Sequence, residues 1–349
     1  MNDMPVEIAD LLRRFGGVVD PRTARLAGLS ESRLREAARL GQIYRLGPGA
    51  YAATAARELG EWDRFVLRAR AFAMTHFPNA LLTGWAASVI WHLPTLGRPP
   101  EVPTAVRLGG ACGGFASARG RMTRGAVPQA HRYKQRTVGL VSKEWATVDL
   151  ARTAPLPHSL VVADQAVRAH ADLAAVLPHM SRRAGIARAR WVVEHADPLA
   201  ETPLETLGRF AFIEYNLPMP VANAWVGHDR PRKRLDGLLP WHWIALEGDG
   251  AGKYENQGAR VIREQNEREF YLRRLKLDFV RYTWSDVYPG RLPLAEKVRA
   301  VIAERPPRDK PVRWWKHVPG GDPVEPNAAD WPSPNAMRIV LPAGWDVAL

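Results

Sequence analysis

The chain has 349 residues, which exceeds the size of one ordinary hydrophobic core and predicts two or three domains. Its apolar fraction of 46% and its 13 tryptophans exclude an intrinsically disordered protein. The net charge of +13 makes a polyanion the expected partner.

Neither membrane insertion nor secretion is expected. The longest apolar run, residues 81–93, is too short to span a bilayer and contains polar residues and a glycine. The first ten residues lack the apolar core of a signal peptide. The single cysteine, Cys112, permits neither an internal disulfide nor a cysteine-based zinc site. We therefore expect a cytoplasmic protein that binds nucleic acid and no membrane.

The first 55 residues have the element order of a winged helix-turn-helix. An apolar helical stripe that begins at Ile8 stops at a glycine pair. Pro21 is placed to start a short second helix, and Ser30 is expected to cap a third. Residues 43–52 contain a Gly-Pro-Gly turn between two extended segments, which predicts a hairpin that forms the wing.

The third helix is basic on its predicted outer face. Such a helix, placed after a short second helix, suits docking in the major groove of DNA, with the wing on the backbone. The alternative is an ordinary solvated face, but the order of elements favours DNA binding. The residues predicted to contact DNA here are Arg33, Arg35, Arg39 and Arg45.

Residues 56–198 predict helices at 62–77 and 82–93, and strands at 101–108 and 138–141. The stretch 109–124 is rich in glycine and arginine but lacks the Gly-Lys-Ser/Thr signature of a P-loop. We expect a mobile loop whose arginines rest on a nucleic-acid backbone. These arginines are Arg119, Arg121 and Arg124.

Later charged residues of this segment are interpreted as structural or as surface features. Asp149 and Asp164 lie in predicted helices and are interpreted as caps or solvated residues rather than catalytic acids. A further basic surface stripe is expected from Arg182, Arg183, Arg188 and Arg190.

Residues 199–305 predict the element order α-β-β-β-α-β-α, and their central feature is a hairpin within residues 234–254. Side chains alternate along a strand, so Glu247 and Asp249 should point the same way. A tight hairpin would bring Asp236 to the same edge, and Lys253 follows in a glycine-rich exit. Carboxylates gathered in this way suit Mg²⁺ and the hydrolysis of a phosphodiester. The plainer alternative is a charged turn at the end of a strand.

Each residue of this group has a predicted role. Asp236 and Glu247 would bind one Mg²⁺ directly, and Asp249 would be a further ligand or a base. Lys253 would donate to the scissile phosphate or stabilise a hydroxide, and Glu205, on the preceding helix, would hold a metal-bound water.

Basic residues near the hairpin are predicted to grip flanking DNA. For the one on the long helix, Arg268, pairing with Glu264 one helical turn away is an equal alternative. The predicted DNA contacts of this region are Arg232, Lys233, Arg234 and Arg268.

Two resemblances add to this interpretation. Asp236, Glu247-x-Asp249 and the later segment Val280-Arg281-Tyr282-Thr283-Trp284 resemble the PD-(D/E)xK restriction-endonuclease-like fold. The nearest group contains very-short-patch repair endonucleases and the uncharacterised family numbered 559. The resemblance implies an α/β domain with Mg²⁺-dependent deoxyribonuclease activity. The chain departs from the pattern because Asp249 stands where the fold usually has lysine, so Lys253 would have to reach back.

The first half resembles the AbiEi-family antitoxins. The resemblance is carried by Gly16-Gly17-Val18-Val19, Ala27-Gly28-Leu29-Ser30, Tyr44-Arg45-Leu46-x-Pro-Gly-x-Tyr51, Leu82-Thr83-Gly84 and Ala146-Thr147-Val148-Asp149-Leu150-Ala151. It implies a DNA-binding winged helix, and a nucleotidyltransferase toxin as a further partner.

The resulting prediction is an α+β multidomain protein. Its parts are a winged helix at 1–55, an α/β middle domain at 56–198, a restriction-endonuclease-like domain at 199–305 and a proline-rich tail at 306–349. In the tail, Trp314 and Trp315 are interpreted as anchors onto the body rather than as base-stacking residues.

The predicted function is that of a DNA-binding, Mg²⁺-dependent endodeoxyribonuclease in genome defence or stress response. The rival is a non-catalytic repressor or antitoxin of a type IV toxin-antitoxin system. Nicking or repair of mismatched bases is a third alternative, and the oligomeric state is left open.

Overall fold

The computed structural model describes residues 4–109, 113–250 and 259–347. They form two compact units, one covering residues 4–196 with Val347 and the other covering Asp197–Asp346. Both mix helices and strands, so the chain is a mixed α/β multidomain protein.

The first unit begins with the predicted winged helix-turn-helix. Its elements are α1 (Val6–Arg14), α2 (Pro21–Leu26), α3 (Glu31–Arg39), β1 (Ile43–Gly47) and β2 (Ala50–Ala53). The two strands form an antiparallel hairpin, which is the predicted wing. The helices form because apolar residues recur at helical spacing and meet in one small core. The buried members of that core are Ile8, Leu11, Leu12, Val19, Ala24, Leu34, Ala37 and Ile43.

The turns of this domain are fixed by local polar contacts and by glycine. Asp20 caps α2, since its carboxylate accepts a hydrogen bond of 2.6 Å from the Thr23 N–H. The predicted cap Ser30 does stand at the N-cap of α3, but its side chain makes no capping hydrogen bond and lies 2.8 Å from the Ser32 hydroxyl instead. Gly16 and Gly17 both have positive φ, which lets the chain reverse directly after α1.

The rest of the first unit contains a mixed sheet covered by helices. Its elements are α4 (Glu61–His76), β3 (Ala80–Leu82), α5 (Gly84–Ile90), β4 (Thr104–Arg107), β5 (Phe115–Ser117), β6 (Gly120–Arg124), β7 (Arg132–Gln135), β8 (Val138–Val141), α6 (Lys143–Thr153), α7 (Leu156–Arg168) and α8 (Ile186–His195). The strands are arranged in the order β5-β6-β4-β3-β8-β7. The predicted helix at 62–77 and strands at 101–108 and 138–141 are confirmed as α4, β4 and β8.

The predicted helix at 82–93 is wrong at both ends. Leu82 belongs to β3, where it pairs with Ala105 and Leu140. Thr83 is extended, so α5 starts only at Gly84, and it ends at Ile90. The apolar run continues across a strand and a helix because both are buried, and hydrophobic periodicity does not separate two buried elements.

The predicted mobile loop at 109–124 is also wrong in its described part. Residues 115–124 form the antiparallel hairpin β5–β6, and β6 pairs with β4 in parallel. Met122 is buried while Arg121 on the same strand is exposed, which is the alternation of a half-buried strand. All three predicted arginines, Arg119, Arg121 and Arg124, are exposed on this hairpin.

Two predictions about charged residues of α6 to α8 are wrong. Asp149 and Asp164 are buried rather than solvated. The Asp149 carboxylate accepts hydrogen bonds from the Thr83 hydroxyl at 2.7 Å and from Arg152 Nη2 at 2.6 Å. Arg188 is only 3% exposed, so it does not belong to a surface stripe.

The second unit contains two small sheets. Its elements are α9 (Pro203–Glu214), β9 (Val221–Ala222), β10 (Trp225–Val226), β11 (Lys233–Arg234), β12 (Gly237–Leu239), β13 (Ile244–Gly248), α10 (Ala259–Arg274), β14 (Asp278–Tyr282), α11 (Trp284–Val287), α12 (Leu292–Glu304) and β15 (Trp314–Trp315). One sheet has the order β14-β13-β12-β9 and the other the order β11-β10-β15. Around the first sheet, the succession α9, β9, β12, β13, α10, β14, α12 follows the predicted element order. Its assignment to the restriction-endonuclease-like fold stays a prediction.

The expected single strand at 221–226 is divided between the two sheets. Asn223 has a φ of +51° and separates β9 from β10, so the chain leaves one sheet and enters the other. The tail contributes β15, which pairs with β10 and buries Trp314 and Trp315 to 1% and 4% exposure. The prediction that these tryptophans anchor the tail is confirmed.

Candidate functional sites

The third helix of the winged domain separates an apolar face from a basic face. Leu34 and Ala37 are buried, whereas Arg33, Arg35 and Arg39 are exposed. This division follows from helical periodicity, which places residues three and four apart on one side.

Two of these arginines have carboxylate partners on their own helix. Arg35 lies 2.6 Å from Glu31, and Arg39 lies 2.8 Å from Glu36. These pairs raise the pKa of both guanidinium groups, mainly through the side-chain hydrogen bonds. Exposed pairs of this kind are screened by solvent and contribute little to stability, so a phosphate can replace the carboxylate at small cost.

The wing presents Arg45 beside its turn. The Arg45 side chain is exposed, and its Nε donates a hydrogen bond of 3.0 Å to the Gly47 carbonyl. The wing is joined to the helical part by the bridge between Val19 and Tyr51. The geometry therefore holds a cation at a fixed place on the hairpin.

The basic surface continues from the wing onto α4, which the sequence analysis did not foresee. Arg45 and Arg57 line a groove of about 590 Å³ together with Arg64 and Arg68 of α4. The Arg57 guanidinium lies 4.6 Å from the centre of the Tyr44 ring, a cation–π contact that orients it. Helical spacing puts Arg64 and Arg68 on one face of α4, but no sequence pattern indicates that the wing lies beside that face.

In the second unit, the β12–β13 hairpin brings the predicted acidic residues together. Gly237 pairs with Leu246, so the preceding Asp236 stands opposite Glu247. Asp236 Oδ2 accepts a hydrogen bond of 2.8 Å from the Gly248 N–H. The predicted hairpin and its register are therefore present.

Glu247 is largely buried, with 12% of its side chain exposed. Its two carboxylate oxygens lie 2.7 and 3.0 Å from Arg268 Nη2. Burial, opposed by the charges of Arg268 and Arg281 and reinforced by those of Asp236 and Asp249, raises the pKa of Glu247 to about 7. Arg268 is therefore paired with Glu247 of β13, and its predicted contact with DNA phosphate stays a prediction.

Asp249 continues the same face beyond the end of β13. Its backbone N–H donates to the Tyr282 carbonyl at 2.8 Å, and its Oδ2 lies 3.8 Å from Arg281 Nη1. Arg281 also lies 2.8 Å from Glu269. Because Arg281 acts on both Glu247 and Asp249, these two acids share one electrostatic environment, as their spacing predicted.

Glu205 is held at the start of α9. One of its oxygens accepts from the Glu201 N–H and the other from the Thr202 hydroxyl, each at 2.9 Å. Burial raises the pKa of Glu205; the two hydrogen bonds oppose this rise, and the charges of Asp236 and Glu201 add to it. Both oxygens therefore accept hydrogen bonds at the N-terminus of α9. The predicted role of Glu205 in holding a metal-bound water stays a prediction.

Tyr282 is a central residue that the sequence analysis missed. Its ring is buried to 5% exposure at the end of β14. Burial raises the pKa of its hydroxyl, and so do the charges of all four neighbouring acids. A small cavity of about 30 Å³ is lined by Glu205, Asp236 and Tyr282, among others. The acids nearest this hydroxyl are Glu205, Asp236, Glu247 and Asp249.

The remaining predicted residues are placed as follows. Arg234 is held by Glu201 through two contacts of 2.9 Å. Arg232 is exposed, and Lys233 is half-buried in β11. Lys253 lies outside the described residues.

The donor chemistry of the acidic group suits Mg²⁺, since it consists of hard carboxylate oxygens. Nevertheless, the described side chains include no group of three or more His, Cys, Asp and Glu residues arranged to hold a metal ion. Hydrogen bonds to backbone N–H groups and ion pairs with arginine occupy these carboxylates instead, among them Glu247 with Arg268. Binding of a metal by Asp236, Glu247 and Asp249 would therefore compete with the contact between Glu247 and Arg268.

Comparisons with known proteins give one family match and two relatives. The family described as "Transcriptional regulator, AbiEi antitoxin" matches residues 6–54. Two curated relatives, the uncharacterized proteins MT2308 and Rv2248 of two Mycobacterium tuberculosis strains, are each 28% identical to the chain over 155 residues. That alignment spans 42% of this chain and about half (56%) of each relative.

No helix in the described part of the chain is long and apolar enough to cross a membrane.

The segment that matches the family has the same bounds as the winged helix-turn-helix. It begins at α1 and ends one residue after β2. Residues 6–54 therefore match the AbiEi antitoxin transcriptional regulators over the whole winged helix-turn-helix.

Proposed function

We propose that this protein is a regulator that binds duplex DNA through its winged helix-turn-helix. The observation that carries the proposal is the exposed arginine face of α3, set beside a wing that carries Arg45. A helix of this kind fits the major groove, and a wing arginine fits the adjacent phosphate backbone. The basic groove between the wing and α4 adds cations on the same unit.

The toxin-antitoxin context is part of this proposal. It is supported by the match of residues 6–54 to AbiEi antitoxin regulators. In such a system the protein represses its own operon and counteracts a toxin encoded beside it, for which a nucleotidyltransferase is the proposed class. The net charge of +13 favours the nucleic-acid part of this function.

A reporter gene placed behind the region upstream of the protein's own gene tests the regulatory role. We expect the intact chain to repress the reporter and Arg33→Ala/Arg39→Ala to relieve the repression. Arg13→Ala, an exposed arginine on α1, is the matched control and should repress normally. Equal repression by the α3 double variant and the intact chain would reject the regulatory role of this helix.

A second candidate function, for the second unit, is Mg²⁺-dependent hydrolysis of DNA phosphodiesters. It is favoured by the four carboxylates whose charges converge on Tyr282. Asp236, Glu247 and Asp249 would hold the ion, which would neutralise developing negative charge and activate water. Glu205 would orient the site from α9, and Lys253 is proposed as the donor to the phosphate.

Incubation of supercoiled plasmid with the protein and Mg²⁺ tests this candidate. We expect Asp236→Asn and Glu247→Gln each to abolish cutting while DNA binding is kept. Asp229→Asn, a change at an exposed acid of the same unit, should cut normally. If the intact chain binds the plasmid without cutting it, the nuclease function is rejected and only the regulatory function remains. If cutting survives in both site variants, it comes from a contaminating nuclease.

A further inference from the structure

A second cavity of the first unit lies between the wing and the β5–β6 hairpin. It has a volume of about 250 Å³, and we call it the wing-side cavity. Its walls are the wing turn around Pro48, the part of α4 with the buried Phe72 and the half-buried His76, and the β5–β6 segment from Phe115 to Arg119. This volume is below the usual range of about 300–1,000 Å³ for a ligand site, so the cavity would enclose one ring system and leave the polar part of a ligand at its rim.

One wall of the cavity is aromatic. The ring centres of Phe72 and His76 are 4.6 Å apart, and the Phe115 centre lies 6.4 Å from the first and 5.8 Å from the second. Phe115 is 38% exposed, which is unusual for a phenylalanine that is already in contact with two rings. A Cβ on Gly120 would lie 2.4 Å from the Phe72 ring, so this glycine allows the hairpin to close onto the rings.

His76 adds a polar atom with a defined role. Its Nδ1 lies 2.9 Å from the Phe72 carbonyl, and a carbonyl oxygen can only accept a hydrogen bond. The proton of the neutral ring is therefore on Nδ1, and Nε2 is left as an acceptor.

The rim of the cavity carries positive charge. Arg68 and Arg119 line it from α4 and from the hairpin, and both are exposed. Among the described residues, neither guanidinium forms an ion pair with a carboxylate. Guanidinium groups bind phosphate strongly because their N–H groups match its oxygens.

We propose that the wing-side cavity binds a planar heteroaromatic anion of the nucleoside monophosphate class. The base packs against the exposed Phe115 ring beside the half-buried His76, and the phosphate is bound by Arg68 and Arg119. A DNA duplex supplies phosphates to such a rim but keeps its bases stacked inside, so it does not use the aromatic wall. Since Pro48 of the wing lines the cavity, the ligand also contacts the element proposed to touch DNA.

Calorimetric titration of the full chain with AMP tests this site, with adenosine and inorganic phosphate as separate titrants. We expect saturable one-to-one binding of AMP, roughly tenfold or more tighter than that of either fragment, because both halves of the site contribute. Phe115→Leu, which keeps an apolar side chain but removes the ring, should weaken AMP binding roughly tenfold. Arg119→Ala should do the same.

Matched controls separate this site from the DNA surface. Arg121→Ala, on the same hairpin but not lining the cavity, should bind AMP normally, and Phe115→Leu should keep the duplex-DNA affinity of the intact chain. The proposal is overturned by any of three results: no saturation at AMP concentrations on the order of 1 mM, phosphate binding as tightly as AMP, or unchanged AMP affinity in Phe115→Leu. Loss of duplex binding in Phe115→Leu would also overturn it, by assigning the cavity to the duplex interface.

Discussion

Arg268 on α10 and Glu247 at the end of β13 form a half-buried ion pair, with Nη2 lying 2.7 and 3.0 Å from the two carboxylate oxygens. The same nitrogen donates to the Arg234 carbonyl at 2.6 Å. The pair offsets only part of the cost of burying Glu247, whose pKa is still raised to about 7. This acid therefore couples the stability of the second unit to pH.

The first prediction concerns that coupling, measured in EDTA. The folded-state pKa of about 7 lies above the ordinary value of 4.5, so between these pH values the native chain holds a proton that the unfolded chain has released. The free energy of unfolding should therefore fall as pH rises from 4.5 to 7, by up to on the order of 3 kcal/mol from this group. Glu247→Gln should flatten the dependence.

Urea denaturation at several pH values measures this effect. Glu267→Gln, the same change at an exposed position of α10, should show the same dependence of unfolding free energy on pH as the wild type. Parallel curves for wild type and Glu247→Gln would show that Glu247 is not the titrating group.

The second prediction concerns Gly208 on α9. A Cβ at this position would lie 2.6 Å from the Tyr282 hydroxyl and 2.7 Å from Cζ of its ring. Gly208→Ala should therefore destabilise the second unit by about 1–3 kcal/mol, since overpacking outweighs the gain of about 1 kcal/mol in helix propensity. Thermal unfolding would measure it, with Gly290→Ala as the control because no atom lies within 4 Å of its added Cβ. A Gly208→Ala protein as stable as that control would argue against the close packing of Tyr282 on α9.

The third prediction concerns the buried charges around Asp149. Arg152 and Arg183 are only 13% and 21% exposed, and both lie near its Oδ1, at 2.6 and 3.7 Å. Asp149→Ala would leave these cations without their shared partner, and we expect a loss of about 3–5 kcal/mol in the stability of the first unit. Glu58→Ala, at an exposed site of the same unit, should cost little. A loss below about 1 kcal/mol for Asp149→Ala would mean that the network does not hold α5 to α6.

Local structure was predictable wherever one element carried its own signal. The winged helix was predictable because α1 and α3 each have an apolar stripe at helical spacing, and because Gly49 allows the tight wing turn. The hairpin of Asp236 and Glu247 was also predictable, since two apolar segments are joined by a short connection that contains Pro240.

Relations between distant segments were not predictable. Tyr282 joins the acidic group only because β14 pairs in parallel with β13, and Arg268 meets Glu247 across a separation of 21 residues. Asp149 resembled a surface residue in sequence because its partner Thr83 lies 66 positions earlier. These contacts depend on tertiary packing, which propensity and periodicity do not encode.

The central claim is that α3 of the winged domain binds duplex DNA. Fluorescence anisotropy of a labelled duplex from the upstream region of the gene, titrated at several salt concentrations, tests it most directly. Removing one arginine–phosphate interaction should reduce the slope of log K against log salt by about 0.9, so Arg33→Ala/Arg39→Ala should weaken binding and lower the slope by about 2 if both side chains bind phosphate. Arg13→Ala should match the intact chain. Unchanged affinity and slope in the double variant would contradict the account.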